Sequence, residues 1–217
     1  NDGTVLGGPN RYERILAAEL VNRFPSLDKV RFTNSGTEAN LMAISTARAV
    51  SGKSKVMVFK GAYHGGVFMF AHGGSHINAP FDYVMAPFNN AHDTVAMVDK
   101  NADELACVVI EPMQGAGGMI PAEKAFLQAL RDVTAKHGII LIFDEVVTGF
   151  RVAPGGAQEH YGVTPDMCSL AKILAGGLPG GAITGREDIM ELLDFEVAEE
   201  KGFEKIQHQG TYNANPM

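Results

Sequence analysis

Cysteine, long hydrophobic runs and clustered positive charge are all scarce in this 217-residue chain, and each scarcity removes a class of function. The two cysteines, Cys107 and Cys168, fall in apolar, strand-like stretches. Buried free thiols are therefore expected, not a disulfide or a metal site. No apolar run approaches the ~18 residues needed for a membrane-spanning helix, and the start carries no signal-peptide pattern. A soluble protein of a reducing compartment, the cytoplasm, is the expectation. With no basic run and a net charge of -7, a nucleic-acid partner is not expected. No G-x-G-x-x-G fingerprint follows a strand and no G-K-[ST] phosphate loop occurs, so the usual nucleotide folds are set aside. His72 and His76 have helical metal spacing, but Gly73 and Gly74 between them oppose a helix, and no metal is expected.

What is present describes a globular domain: 46% hydrophobic residues, 20% charged residues and 25 glycines. Periodicity predicts helices over 11–24, 37–50, 123–136 and 187–193. In the first of these Leu16, Leu20 and Phe24 form one stripe. Short apolar runs predict strands over 30–33, 55–59, 83–86, 107–110, 139–143, 167–170 and 182–184. Helices alternating with short strands imply an α/β fold, a mostly parallel central sheet covered by helices on both faces. There is no internal repeat and no linker, so 1–217 is read as one domain. Asn1 at the start and the turn-like 211–216 at the end suggest part of a longer protein.

Three places could carry chemistry. The segment HGIILIFDEVVTGFR ends an unbroken apolar run, 139–143, on Asp144 and Glu145. Such a run is a strand buried on both faces, and ligands of open α/β sheets sit at the carboxyl ends of their strands. The acids could equally cap a turn or the next helix. Asn34-Ser35-Gly36-Thr37 joins a strand to a helix, where free amides and hydroxyls suit a phosphate, or where Ser35 or Thr37 makes an ordinary cap. Lys172, in SLAKILAGGLPGGAITG, either snorkels to the surface or is held inside, where desolvation would favour its neutral, nucleophilic amine. A phosphate anchor, an amine and a carboxylate together are what pyridoxal 5'-phosphate needs.

At these residues the sequence resembles the class III, fold-type I pyridoxal-phosphate aminotransferases. The likeness is strongest to the branch with glutamate-1-semialdehyde aminomutases and β-amino-acid aminotransferases. It runs through RFTNSGTEAN, FKGAYHGG, VVIEPMQGAGG, LIFDEVVTGFR, SLAKILAGGLPGGAITGR and HQGTYNANP. The resemblance implies the family's large, cofactor-binding domain over 1–217, without its N-terminal segment and C-terminal small domain. It implies that Lys172 forms the Schiff base and moves the substrate proton, and that Asp144 holds the pyridine nitrogen protonated. Ser35, Gly36 and Thr37 match the phosphate cup. Tyr63 matches the aromatic stacked on one ring face and Val146 the aliphatic on the other. His64 and Glu111 match positions beside the cofactor. Thr211 matches a threonine that reaches the phosphate of the neighbouring subunit, which implies a homodimer with a shared site, although Gly210 and Asn213 also allow a plain turn.

Val147 stands where many members carry a glutamine, as is usual in the aminomutase-like branch that the sequence resembles. The segment 64–90 is shorter than in glutamate-1-semialdehyde aminomutases and lacks their glycine- and serine-rich lid. That tilts the expectation toward transfer between an amino acid, including β-amino acids, and a keto acid. Intramolecular aminomutation and a noncatalytic cofactor-binding fragment are the alternatives. Arg151 is a weak candidate for a substrate carboxylate clamp.

Overall fold

The computed structural model describes residues 10–214. Its centre is a sheet built on the strands β1 (Lys29–Thr33), β2 (Lys55–Phe59), β3 (Asp82–Ala86), β4 (Leu105–Ile110), β7 (Ile140–Asp144), β8 (Met167–Ala171) and β9 (Gly181–Gly185). A two-strand hairpin, β5 (Met113–Gln114) and β6 (Ile120–Pro121), stands apart. The sheet order is β1-β9-β8-β7-β4-β2-β3. β8, β7, β4, β2 and β3 are parallel, whereas β9 runs antiparallel to both of its neighbours. β1 is therefore parallel to β8. The carboxyl ends of six strands and the amino end of β9 meet along one edge.

Every residue of β4, β7, β8 and β9 is buried, as unbroken apolar runs require when helices cover both faces. Alternation along β8 separates the two sides. Cys168 and Leu170 pack with Leu20, Phe24, Phe32 and Ala182 beneath α1 (Arg11–Arg23). Met167 joins the larger core with Ala39, Ala43 and Ile44 of α2 (Gly36–Ser51). Within the stripe expected on α1, Leu20 and Phe24 are buried but Leu16 is left exposed. The helix predicted over 123–136 is α4 (Lys124–His137), with Phe126, Leu127, Leu130 and Val133 inside, as its spacing requires.

Three helices lie outside the expected elements: α3 (Ala91–Asn101), α5 (Gly156–Tyr161) and α7 (Phe195–Lys201). α3 buries only Thr94 and Val98, a stripe one turn long, and α5 has only six residues, so neither gives a clear helical period. The helix expected over 187–193 forms as α6 (Glu187–Met190) followed by a 3-10 turn, Glu191–Leu193. Among the described residues no helix is long and apolar enough to cross a membrane.

The two acids that end the apolar run 139–143 have separate roles. Glu145 is turned away from Asp144 and accepts hydrogen bonds from Thr148 Oγ1 at 2.8 Å and from the Ala157 and Gln158 amides at 2.5 and 3.2 Å. Burial pushes its carboxyl above the usual range, and these donors pull it only partly back. Glu145 thereby satisfies the amino end of α5, so the alternative that an acid caps a following helix holds for this residue. Gly156, at φ +72°, leaves the room: a Cβ there would lie 2.4 Å from Glu145 Oε2 and 2.8 Å from the Phe24 ring. Gly156→Ala is therefore expected to cost roughly 2–4 kcal/mol, from left-handed strain and a disturbed buried carboxylate. The urea midpoint followed by circular dichroism measures it; an unchanged midpoint would refute the constraint.

Candidate active site

A cavity of about 500 Å³ opens at the carboxyl edge of the sheet. That volume is in the range of small-molecule sites. It is lined by Ser35, Gly36 and Thr37 after β1, Tyr63 and His64 after β2, Glu111 after β4, Asp144 and Val146 after β7, and Lys172 after β8. Nine of the ten expected site residues thus share one cavity; Thr211 lies outside its lining. Arg151 is exposed and also outside it.

The cup at the start of α2 follows from helix-end chemistry. Ser35 is the cap: its Oγ accepts from the Glu38 amide at 3.1 Å. Thr37 Oγ1 accepts from Gly66 N at 3.1 Å, tying the two loops together. Among the described residues the amides of Gly36 and Thr37 have no partner. They point from a helix amino end, where the dipole favours an anion. The room beside Gly36 is taken by a neighbour: a Cβ there would lie 2.9 Å from Val146 Cγ2. Its glycine is required by packing as well as by any ligand.

Asp144 is 4% exposed and would be costly to bury alone. Its Oδ2 accepts from Asn40 Nδ2 at 2.8 Å and faces His64 Nδ1 at 2.7 Å. Its Oδ1 accepts from Val146 N at 3.0 Å. Ser169 Oγ lies 3.5 Å from Oδ1 but 2.6 Å from Asn40 Oδ1, so its single proton goes to Asn40. A carboxylate has about four acceptor positions, so Oδ1 keeps one for a donor arriving from the cavity. Asn40 and Ser169 were missed from sequence. A lone asparagine inside a helical period and a serine inside an apolar strand carry no signal until the fold opposes them to Asp144.

His64 is 1% exposed and lines the cavity with its Nδ1 held against Asp144. Burial pulls its pKa down, but the hydrogen bond and charge of Asp144, with the charge of Glu111, outweigh that and set it above the ordinary value. Glu111 accepts from the Tyr63 and Gly115 amides at 2.9 and 3.2 Å and so shapes the loop bearing Tyr63. Burial pushes its carboxyl up, with the His64 charge opposing and the Asp144 charge adding.

Lys172 is exposed, so of its two sequence readings the interior one does not hold. It begins a 3-10 turn, Lys172–Ala175, at φ +50°, a left-handed conformation that costs a non-glycine residue about 1–2 kcal/mol. Strain of this kind collects where a side chain must be aimed. Lys172 lines the cavity that Asp144 and the cup also line.

An open α/β sheet thus brings a helix amino end with unpartnered amides, a buried carboxylate and an exposed lysine to one cavity. The family model for class-III aminotransferases matches residues 8–217. The chain is 42% identical to the glutamate-1-semialdehyde 2,1-aminomutase of Methanocaldococcus jannaschii, over 99% of this chain and 52% of that one. It is 43% identical to the β-phenylalanine transaminase of Variovorax paradoxus, over 99% of this chain and 48% of that one. The crystal structure of the Variovorax enzyme superposes with a TM-score of 0.91 at 43% identity, over 97% of this chain and 47% of that chain. This chain belongs to the class-III aminotransferase family, and it spans about half the length of the relatives it matches.

A titration reports on the Asp144 network directly. With a folded pKa above 6.5, the His64–Asp144 pair stabilises the fold fully below about pH 6.5 and loses that contribution as pH rises through the folded value. In a histidine NMR titration of the cofactor-free protein, His64 should titrate above 6.5. In Asp144→Asn burial should win and bring it below. A wild-type His64 titrating below 6.5 would contradict the pairing.

Proposed function

We propose that this chain is the cofactor-binding large domain of a pyridoxal 5'-phosphate-dependent aminotransferase that moves an amino group from an amino acid to a keto acid. The observation that carries this reading is the convergence of the α2 cup, Asp144 and Lys172 on one cavity. When bound, the cofactor supplies an aldehyde that condenses with amines and a ring that withdraws electrons while its nitrogen is protonated.

The free Gly36 and Thr37 amides, under the Ser35 cap, hold the phosphate. Asp144 would use its remaining acceptor position to hold a proton on the ring nitrogen, and Tyr63 and Val146 would hold the ring from either side. His64 acts through Asp144. Lys172 would hold the cofactor through its amine, and the same amine would move the proton at the substrate carbon. Thr211 serves the phosphate of a second copy in a homodimer. An apolar groove lined by Leu16, Phe32, Leu178 and Tyr212 adjoins the cavity at Asn34, Pro179 and Gly180, and supports packing of that copy there. Two buried thiols without a disulfide agree with a cytoplasmic location.

Aminomutation within one substrate remains a second reading, because the Methanocaldococcus relative bears that name at nearly the same identity as the transaminase. A screen with β-, α- and ω-amino donors, each with a keto-acid acceptor, separates the two. β-Amino acids are the first donors to test, and turnover of glutamate-1-semialdehyde alone favours the mutase. A colourless protein after incubation with cofactor would leave only the noncatalytic reading.

Borohydride reduction followed by peptide mapping should place the pyridoxyl group on Lys172, and a label on another lysine overturns the assignment. Asp144→Asn should keep the fold yet lower kcat on the order of 100-fold, roughly 3 kcal/mol of lost charge stabilisation. Unchanged kinetics would make Asp144 structural only.

A further inference from the structure

The turn that carries Thr211 is bracketed by two side-chain clamps, one to Arg31 on β1, the strand that leads into the phosphate cup, and one to Asn34 beside the cup. Thr211 is exposed in a turn closed by Asn213 N to Gly210 O at 3.0 Å. Three residues before it His208 is nearly buried, at 6% exposure, within a stretch that forms no helix or strand. Arg31 of β1 donates from Nε to His208 Nδ1 at 3.2 Å and from a terminal nitrogen to the His208 carbonyl at 3.0 Å. On the far side of the ring, His208 Nε2 lies 3.6 Å from Glu38 Oε1 of α2. Two residues after Thr211, Asn213 Oδ1 accepts from Asn34 Nδ2 at 2.7 Å. Glu38 Oε2 closes the circuit by accepting from both the backbone and side-chain nitrogens of Asn34, at 2.9 and 3.1 Å.

We propose that His208 is a positioning residue that locks the Thr211 turn to the cup, so that each subunit's own cup sets how it presents Thr211 to its neighbour. The inference rests on the shared-site reading given above for Thr211.

The chemistry of the clamp fixes the state of the ring. Arg31 can only donate, so Nδ1 must accept and the single ring proton sits on Nε2, toward Glu38. A second proton would set two donors against each other at Arg31 Nε and Nδ1. Arg31 on β1, Glu38 on α2 and Lys205 in the same loop are the charged groups around the ring. Burial and then Arg31 hold the His208 pKa below 6.5, with Lys205 adding and Glu38 opposing. The stability that the neutral, clamped form contributes is therefore fully present above about pH 6.5 and is lost as pH falls through the folded value.

His208→Gln retains an acceptor for Arg31 and a donor for Glu38 without the titration; His208→Leu retains neither. The test measures pyridoxal phosphate affinity by absorbance titration, and amide hydrogen exchange of 206–213 in the cofactor-free protein. His208→Leu should weaken affinity about tenfold, the scale of one hydrogen bond to a charged group, and speed exchange in the turn. His208→Gln should match wild type near pH 8. As pH falls below 6.5 wild type should lose affinity relative to His208→Gln, the cofactor's own titration being common to both. Should His208→Leu fail to fold, that pH comparison decides alone. Parallel pH profiles, or a His208→Leu protein with wild-type affinity and exchange, overturn the clamp. Thr211→Val separates the two layers. If its affinity is unchanged, the shared-site reading fails and this inference with it. If it is weakened while His208→Leu is not, only the clamp fails.

Discussion

A carboxylate buried at the end of an apolar strand is the constraint around which this molecule is arranged. β7 is buried along its whole length, so Asp144 leaves water with the rest of the strand. An isolated ion in that position would cost several kcal/mol. Three donors from separate parts of the chain offset the cost: Asn40 from the middle of α2, His64 from the loop after β2, and the backbone of Val146. Each must be brought to within hydrogen-bond distance, so the loop after β2 and the face of α2 are both fixed by the charge they serve. The unfilled position on Oδ1 then follows from the count of donors.

The neighbouring acid shows how the same chemistry yields structure in place of a site. Glu145 is as deeply buried as Asp144, but all of its partners belong to the turn and short helix that follow. It has donors enough to be held and no route to the cavity. Asp144 differs in lying on the face of the sheet covered by α2, whose amino end also forms the phosphate cup. One helix thus sets the distance between the anion site and the buried carboxylate.

The edge at which the site forms is a consequence of strand direction. The carboxyl ends of the parallel strands converge there, and the amino end of β9, coming the other way, brings Pro179 and Gly180 to the same cavity. The single antiparallel strand lets β1 run parallel to β8 on its far side. The cup after β1 and Lys172 after β8 can then lie together although a strand separates them.

The apolar run 139–143 fixes a buried strand by itself, and its end on Asp144 fixes where a ligand edge must be, because an apolar run of strand length has few other solutions. The Ser35 cap and the inner face of α4 were legible for the same reason: each depends on residues within a turn or two. The pairing of Asp144 with Asn40 spans 104 positions, and that of Arg31 with His208 spans 177. No local period reports either. Which of two adjacent acids faces a cavity, whether Lys172 is buried or accessible, and what surrounds His208 depend on groups that only the folded chain brings near. Burial and hydrogen bonding are properties of the neighbourhood, and the sequence order of this chain leaves that neighbourhood to its tertiary structure.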